Sequence, residues 1–173
     1  MIVVVPSERV ETTLELVRPF ERVEVISGGE TRRDSVARGL DRVGNSLQVV
    51  VHDAARPFVT ASLLQRVVRA QGDHDGAIPA EPVEETVKAV DESVVVKTVD
   101  RSGLWRAQTP QAFTTDALRR AHEQSPGVTA TDDAQLVELV GGTVVVVRGD
   151  RRNVKITYEE DFALAESLAA SLS

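Results

Sequence analysis

No cysteine occurs among the 173 residues, which excludes disulfide bonds, thiolate metal sites and cysteine nucleophiles and permits a reducing cytoplasm. A basic excess is also lacking, because the net charge is -7 and the isoelectric point is near 5.0. Sequence-independent binding to nucleic acid or to an anionic membrane needs a basic surface, so both are disfavoured. No apolar run reaches the length of a transmembrane helix, and Met1–Pro6 is too short for a signal peptide and lacks its basic leader. We therefore expect a soluble, cytoplasmic protein.

The length fits a single domain over residues 1–173, and neither repeats nor low-complexity linkers divide it. Short β-branched runs alternate with helical patterns, which is typical of an α/β fold with a mostly parallel sheet. The strand candidates are Ile2–Val5, Val23–Ile26, Leu47–Val51, Ala77–Ile78 and Thr143–Val147. Helices are predicted after Ser7, after Gly28-Gly29, after Thr60, around Leu118, around Leu136 and from about Tyr158 to Leu172.

One segment departs from this alternation. Thr86–Val90 and Val94–Val99 alternate polar with apolar residues around a short turn, which predicts an antiparallel hairpin in an arm over about residues 83–103. An isolated two-stranded ribbon is marginally stable in water, so the arm needs a surface to pack on. We favour a second copy of the chain as that surface, and the alternative is an edge hairpin folded back on its own domain.

An acid and a base follow the third predicted strand. The run Val49–Val51 leads directly into Asp53 and Arg56, and ligands of open α/β sheets bind outside the carboxyl ends of the strands. Asp53 either caps the turn that follows it or binds a divalent cation together with substrate phosphates. In the second case Arg56 lies three residues away, where it could hold another phosphate.

Two further segments are candidates for binding. The pair Gly28-Gly29 follows a strand and opens a helix, so it forms either a tight turn or a loop whose backbone N–H groups receive an anion or a base edge. Lys155 lies between Val154 and Ile156, which predicts a short buried strand that aims the lysine, whereas a solvated lysine is the alternative.

Five motifs extend over nearly the whole chain. They are Gly28-Gly29 with Arg32 and Ser35, then His52–Pro57, Trp105–Phe113, Thr131–Ala134 and Asn153–Thr157. In this order they resemble the 2-C-methyl-D-erythritol 4-phosphate cytidylyltransferase family, which has a Rossmann-like nucleotidyltransferase fold of three α/β/α layers. The resemblance implies transfer of CMP from CTP to methylerythritol phosphate in the non-mevalonate isoprenoid pathway, with release of pyrophosphate. It also implies Mg²⁺ or another divalent cation as cofactor and a homodimer formed through the hairpin arm.

The resemblance assigns roles to matching positions. Asp53 would bind the metal and the nucleotide, and Lys155 would lie beside the α-phosphate as the second catalytic residue. The residues implied in cytosine binding are Gly29, Glu30 and Ser35, and Glu30 stands where many relatives have aspartate. The residues implied in binding methylerythritol phosphate are Arg56, Thr109 and Thr131 and, from the partner subunit, Thr86 and Arg101. No histidine catalyst is needed, and we expect His74 and His122 to be solvated.

The resemblance also points to a difference at the start of the chain. Family members begin with a strand, a glycine-rich loop that binds the CTP triphosphate, and a helix, and none of these precedes Ile2–Val5 here. The family's first strand would lie between Ile2–Val5 and Leu47–Val51. We expect this chain alone to have low or no activity. A misassigned start or a cleaved piece of a complete enzyme is favoured over a degenerate relative or a sheet completed by a separate fragment.

Two other functions stay open. Pentitol phosphate cytidylyltransferases, which use ribitol phosphate, share the fold and several of the motifs. The Ala54-Ala55 pair before Arg56 and the stretch Thr109–Phe113 favour methylerythritol phosphate. From a different class, the chain could be a non-catalytic nucleotide-binding or dimerisation module.

Overall fold

The structure is a computed structural model that describes residues 1–171. Its strands are β1 (Ile2–Val5), β2 (Glu24–Ser27), β3 (Gln48–Val51), β4 (Gly76–Pro82), β5 (Val87–Asp91), β6 (Val94–Val99), β7 (Trp105–Ala107), β8 (Gln111–Thr114) and β9 (Val144–Arg148). Its helices are α1 (Val10–Val17), α2 (Arg32–Arg42), α3 (Ala61–Gln71), α4 (Thr115–Gln124), α5 (Asp133–Leu139) and α6 (Asp161–Ser171). The predicted end of the last helix, Leu172, lies outside the described residues. Among those residues, no helix has both the length and the hydropathy needed to cross a bilayer.

The main sheet has five strands in the order β3-β8-β4-β7, with β9 paired to β4. β9 runs parallel to β4, whereas β8 is antiparallel to both β3 and β4. Strands β3, β4 and β9 therefore point the same way, and their carboxyl ends lie at one edge of the sheet. Because β8 runs the other way, its beginning lies at that same edge, where Gln111 pairs with Val51.

The predicted α/β class is confirmed, but the main sheet is mixed rather than mostly parallel. Strands β8 and β7, which pair antiparallel with their neighbours, are not predicted by the sequence pattern. Both strands are short, four and three residues, and β8 opens with Gln111, so neither has the apolar run that marked the other strands. Within the chain, β8 is inserted between two strands that would otherwise be parallel neighbours.

The core lies between this sheet and the helices that cover it. Phe113 of β8 is fully buried against Leu118 of α4 and Leu136 of α5. Each such side chain contributes about 1.5–3 kcal/mol when it is completely buried. Gly76 opens β4 beside the Phe113 ring, and a Cβ atom there would lie 2.6 Å from the Phe113 Cδ1 atom. A side chain at position 76 would therefore displace the largest fully buried residue of the core.

Two pairs of strands stand apart from the main sheet. β1 and β2 form a parallel pair, and within residues 1–171 no strand ladder joins β1 to β3. β5 and β6 form the predicted antiparallel hairpin, which is closed by Glu92 and Ser93 in the left-handed region of backbone conformation.

Candidate functional site

Asp53 lies just beyond the carboxyl end of β3, and the sheet register brings Thr109 opposite it. The Asp53 N–H donates to the Thr109 Oγ1 atom over 3.0 Å, and the Asp53 carbonyl accepts from the Arg56 N–H over 2.9 Å. The second bond closes a turn after the strand. Both bonds involve the Asp53 backbone, so the Asp53 carboxylate is left for other partners.

The Asp53 carboxylate lies between two cations. Its Oδ1 atom is 3.1 Å from the Arg32 Nε atom, and its Oδ2 atom is 3.1 Å from the Lys155 Nζ atom. Burial disfavours the ionised carboxylate, but the charges and hydrogen bonds of Arg32 and Lys155 outweigh it and lower the pKa of Asp53 below its ordinary value. Asp53 is therefore ionised at neutral pH, and its side chain is 17% exposed.

Lys155 is positioned by an extended loop rather than by the predicted short strand, since residues 153–157 form no strand. Asn153, fully buried, donates from Nδ2 to the Thr109 carbonyl over 2.8 Å, and its own carbonyl accepts from the Arg56 Nη1 atom over 2.8 Å. The Ile156 N–H donates to the Ala55 carbonyl over 2.8 Å. These bonds tie the loop to the turn after β3 on both sides of Lys155, so no second strand is needed to aim it.

His52 orders the same turn. The Thr109 hydroxyl, which accepts from the Asp53 N–H, lies 3.0 Å from the His52 Nδ1 atom, and the His52 Nε2 atom lies 3.1 Å from the Arg56 carbonyl. The carbonyl can only accept, so this geometry assigns the proton to Nε2 and makes Nδ1 the acceptor from Thr109. Burial lowers the pKa of His52 below its usual value, which favours this neutral form.

Arg32 was part of a recognised motif but had no predicted role, and the structure places it at the centre of the site. Its Nη1 atom is 2.7 Å from the Asp133 Oδ2 atom, in addition to its contact with Asp53. Burial disfavours the charge of Arg32, but Asp133 and Asp53 together raise its pKa. The contact joins residues 101 positions apart, and no local pattern in the sequence could have indicated it.

The expectation that His122 is solvated is wrong. The His122 side chain is 8% exposed, and its Nε2 atom lies 3.2 Å from the Asp133 Oδ1 atom. His122 lies on the last turns of α4, and α5 packs against that helix and begins at Asp133. His74 is exposed as expected.

A cavity of about 200 Å³ opens at this edge of the sheet. Its lining includes Arg32, Asp53, Arg56, Thr109, Thr131 and Lys155. Burial lowers the pKa of Arg56, and Asp53 partly offsets this effect, but a guanidinium stays charged at neutral pH. Five predicted site residues therefore meet at one cavity. Gln108, Gln111 and Asp132 also line it, and no role was predicted for them.

Of the predicted cytosine-binding residues, Gly29 and Glu30 lie in the loop before α2 and Ser35 lies in the first turn of that helix, and none of them lines this cavity. The Gly29 N–H donates to the Ser35 Oγ atom over 3.1 Å, so this backbone donor is used inside the loop. A Cβ atom at Gly29 would lie 2.2 Å from the Asp34 Cβ atom, which leaves room only for glycine. Thr31 and Asp34 form a capping box at the start of α2, in which the side chain of each residue accepts a hydrogen bond from the backbone N–H of the other. Glu30 is exposed beside them.

Thr86 and Arg101 are exposed and do not line the cavity either. Thr86 directly precedes β5 and Arg101 follows β6, so both belong to the base of the arm. Within one chain the structure does not bring them to Asp53.

Comparison with known proteins gives the class of this fold. A crystal structure of 2-C-methyl-D-erythritol 4-phosphate cytidylyltransferase from Thermus thermophilus matches with a TM-score of 0.83 and 33% identity, covering 98% of each chain. A crystal structure of 4-diphosphocytidyl-2C-methyl-D-erythritol synthase from Anaerococcus prevotii matches with a TM-score of 0.89 and 28% identity, covering 98% of this chain and 78% of the other. The chain thus has the Rossmann-like fold of a nucleotidyltransferase.

The family follows from sequence. The model of the family described as 2-C-methyl-D-erythritol 4-phosphate cytidylyltransferase matches residues 1–171. The enzyme of this name from Geobacillus thermodenitrificans is 42% identical over 99% of this chain and 77% of its own length. That from Bacillus licheniformis is 40% identical over 84% of this chain and 64% of its own length. The chain belongs to the 2-C-methyl-D-erythritol 4-phosphate cytidylyltransferase family.

Proposed function

We propose that this chain transfers CMP from CTP to the phosphate of 2-C-methyl-D-erythritol 4-phosphate and releases pyrophosphate. The observation that carries the proposal is the Asp53 carboxylate between Arg32 and Lys155, at a cavity that Arg56 and Thr109 also line. The chain spans 64% and 77% of the lengths of the two curated relatives described above. For this chain by itself we propose a low rate.

The reaction needs fixed positive charge more than acid–base chemistry. Attack of one phosphate on another brings anions together, and negative charge moves toward the pyrophosphate leaving group in the transition state. Preorganised cations stabilise that charge without reorganising during the step. Arg32, Arg56 and Lys155 supply such cations around one cavity. Lys155 would contact the α-phosphate, and Arg56 with Thr109 and Thr131 would hold methylerythritol phosphate.

A divalent cation fits the corner formed by Arg32, Asp53 and Lys155 only together with substrate phosphates. Within residues 1–171, no three acidic or histidine side chains gather to hold a metal ion. Mg²⁺ is usually held by one or two carboxylates together with substrate phosphates, and the hard oxygen atoms of Asp53 suit it. Asp53 would hold Mg²⁺ together with the substrate phosphates, and the ion would supply positive charge that stabilises them.

If Asp53 is to bind a divalent cation, the side chains of Arg32 and Lys155 must exchange Asp53 for other partners. Each Asp53 oxygen is already in contact with Arg32 or Lys155. The incoming phosphates offer both side chains new acceptors, so the substrate itself can release an Asp53 oxygen. This exchange explains why a carboxylate that is fully ion-paired in the free protein can still serve as a metal ligand.

Cytosine recognition is assigned to Gly29, Glu30 and Ser35. The loop has a close approach that only glycine permits, and it lies at the start of α2, where backbone N–H groups and the helix dipole favour electron-rich groups. Arg32 is the first residue of the same helix, so the proposed base-binding loop and the phosphate-binding cation are adjacent in sequence and in space.

The arm is assigned to a homodimer, in which Thr86 and Arg101 would reach the partner's substrate. The support is that both residues are exposed at the base of a hairpin that pairs with no other strand among the described residues. The test mixes Arg101→Ala chains with Asp53→Asn chains. A mixed dimer should recover activity because one of its two sites has both residues intact, whereas no recovery would contradict a shared site.

The function is tested by calorimetry and by release of pyrophosphate from CTP labelled with ³²P. We expect the chain to bind CTP with Mg²⁺ and to release pyrophosphate slowly with methylerythritol phosphate and more slowly with ribitol phosphate. A preference for ribitol phosphate would establish the pentitol alternative. Binding of CTP without turnover would favour a non-catalytic module, and no binding would contradict the proposal. A cytoplasmic location, which we also propose, would be tested by cell fractionation.

A further inference from the structure

Arg32 is held by two carboxylates that differ in their access to the cavity. Its Nε atom contacts Asp53, whose side chain is 17% exposed, and its Nη1 atom contacts Asp133, whose side chain is 1% exposed. The contact with Asp133 is the shorter of the two, at 2.7 Å against 3.1 Å. Arg32 therefore has one carboxylate partner at the cavity, Asp53, and a second one, Asp133, that is buried.

Both oxygen atoms of the buried Asp133 side chain are in contact with other side chains. Its Oδ2 atom contacts Arg32, its Oδ1 atom contacts His122, and it does not line the cavity. The neighbouring Asp132 does line the cavity but does not contact Arg32, since its oxygens accept from Gln111 Nε2 and from the Gln135 N–H. Asp133 therefore affects the site either through its contact with Arg32 or through the electrostatic effect of its own charge.

We propose that Asp133 is a positioning residue, which keeps Arg32 at the cavity wall while Asp53 exchanges Arg32 for a divalent cation. The inference rests on the function proposed above and adds a residue that the sequence analysis did not assign. Its basis is the double contact of one guanidinium, because the planar fork of arginine can hold two carboxylates at once through different nitrogen atoms.

The physical reason is competition for Asp53. With Asp133 present, Arg32 keeps a charge-assisted hydrogen bond when it leaves Asp53, so the departure costs less free energy. Without Asp133, Asp53 is the one carboxylate in contact with Arg32. An incoming cation must then displace a guanidinium that has no second carboxylate to bind. Loss of Asp133 would also leave the Arg32 side chain without a fixed position once a cation has displaced it from Asp53. Both effects weaken cation binding.

The first experiment uses the unaltered 173-residue protein and NMR of its arginine side chains. Mg²⁺ is added in the presence of CTP, and the Nε and Nη signals of Arg32 are followed. We expect the Nε signal to shift as the contact with Asp53 is lost, while the Nη protons stay protected from exchange by Asp133. Loss of protection at both positions would overturn the inference, and so would an unchanged Nε signal in protein that binds Mg²⁺.

The second experiment measures binding of Mn²⁺ in the presence of CTP, from the electron paramagnetic resonance of the ion. Asp133→Asn keeps the side-chain shape and removes the charge, and we expect the dissociation constant to rise about tenfold, as for residues that orient a metal ligand from behind. Circular dichroism establishes that the variant is folded. If it is not folded, the NMR experiment on the unaltered protein decides the matter.

A double-mutant cycle separates positioning from simple charge. Arg32→Gln removes the competing guanidinium, so Asp133→Asn in that background should change the dissociation constant by less than about threefold. Equal effects in both backgrounds would mean that Asp133 acts by its own charge, which overturns the inference. Failure of the unaltered protein to bind Mn²⁺ or Mg²⁺ would instead remove the proposed metal role of Asp53, and the inference with it. Binding that is indifferent to Asp133→Asn would remove the inference alone.

Discussion

The corner around Asp53 and the hairpin arm are built in opposite ways. In the corner, side chains from α2, the turn after β3, and the loop after β9 meet around one carboxylate, and Asn153 in that loop is fully buried. In the arm, Val94, Val95 and Val96 are 68%, 57% and 63% exposed. The corner uses its polar groups on one another, whereas the arm presents apolar side chains to the solvent.

This difference indicates what each region can do without a partner. The corner is preorganised within one chain, as electrostatic stabilisation of a transition state requires. The arm has apolar surface that one chain leaves uncovered, which is the mark of an interaction surface. Changes in the corner should therefore alter chemistry and stability, and changes in the arm should alter assembly.

The largest effect is expected from Asp53→Asn. This change removes the proposed metal ligand and the anion between Arg32 and Lys155, so Mg²⁺-dependent release of pyrophosphate should fall by at least about 100-fold. The measurement is a single-turnover assay with the protein in excess over labelled CTP, with unfolding followed by circular dichroism. Asp116→Asn, at an exposed position on α4, is the matched control. Unchanged turnover in folded Asp53→Asn protein would contradict the role of Asp53 as a metal ligand.

The strand before Asp53 and the position of Asp53 could be predicted from sequence, because both depend on local pattern. An apolar run ended in polar residues, and the α/β alternation placed that end at a ligand-binding edge. Thr109 could not be placed by the same reasoning. It reaches Asp53 only because β8 inserts antiparallel beside β3, and that four-residue strand has no apolar pattern that distinguishes it.

The contact between Arg32 and Asp133 lies further beyond local prediction. Each residue begins a helix, and acidic or basic residues at such positions are commonly solvated, so neither indicates a partner. The burial of Asp133 follows from the packing of α5 against α4, which depends on the whole fold. Motifs could identify the family and most of the cavity lining, but the network that holds the lining in place required the structure.

Asn153→Ala should have the next largest effect, and on stability. It removes the donor to the buried Thr109 carbonyl, and an unsatisfied buried acceptor costs about 1–3 kcal/mol of the free energy of unfolding. Because Asn153 anchors the loop that carries Lys155, activity should fall as well. Asn45→Ala, at an exposed position, is the control and should change stability by less than about 0.5 kcal/mol. Urea denaturation of both variants checks this, and equal stabilities would show that the corner tolerates loss of its anchor.

In the arm, the double change Val94→Ser and Val96→Ser should weaken the proposed dimer and leave the fold of the chain intact. Both valines are exposed on β6, and burial of two valines contributes enough that the dissociation constant should rise at least about tenfold. Sedimentation equilibrium measures this. Leu16→Ser, at a position on α1 that is 70% exposed, is the control outside the arm. A monomeric unaltered protein, or a dimer that both variants keep, would contradict assembly through the arm.

The smallest effect concerns His52, which belongs to the corner but lies at its surface. Since burial lowers the pKa of His52 in the folded chain, the unfolded chain takes up a proton at a higher pH than the folded one. Stability should therefore fall as the pH drops through the unfolded value of about 6.5, and level off below the folded pKa. His52→Gln lacks this titration. Urea denaturation between pH 7.5 and 5.5 should thus show a smaller loss for the variant. An identical pH dependence would mean that burial does not lower the pKa of His52 in the folded chain.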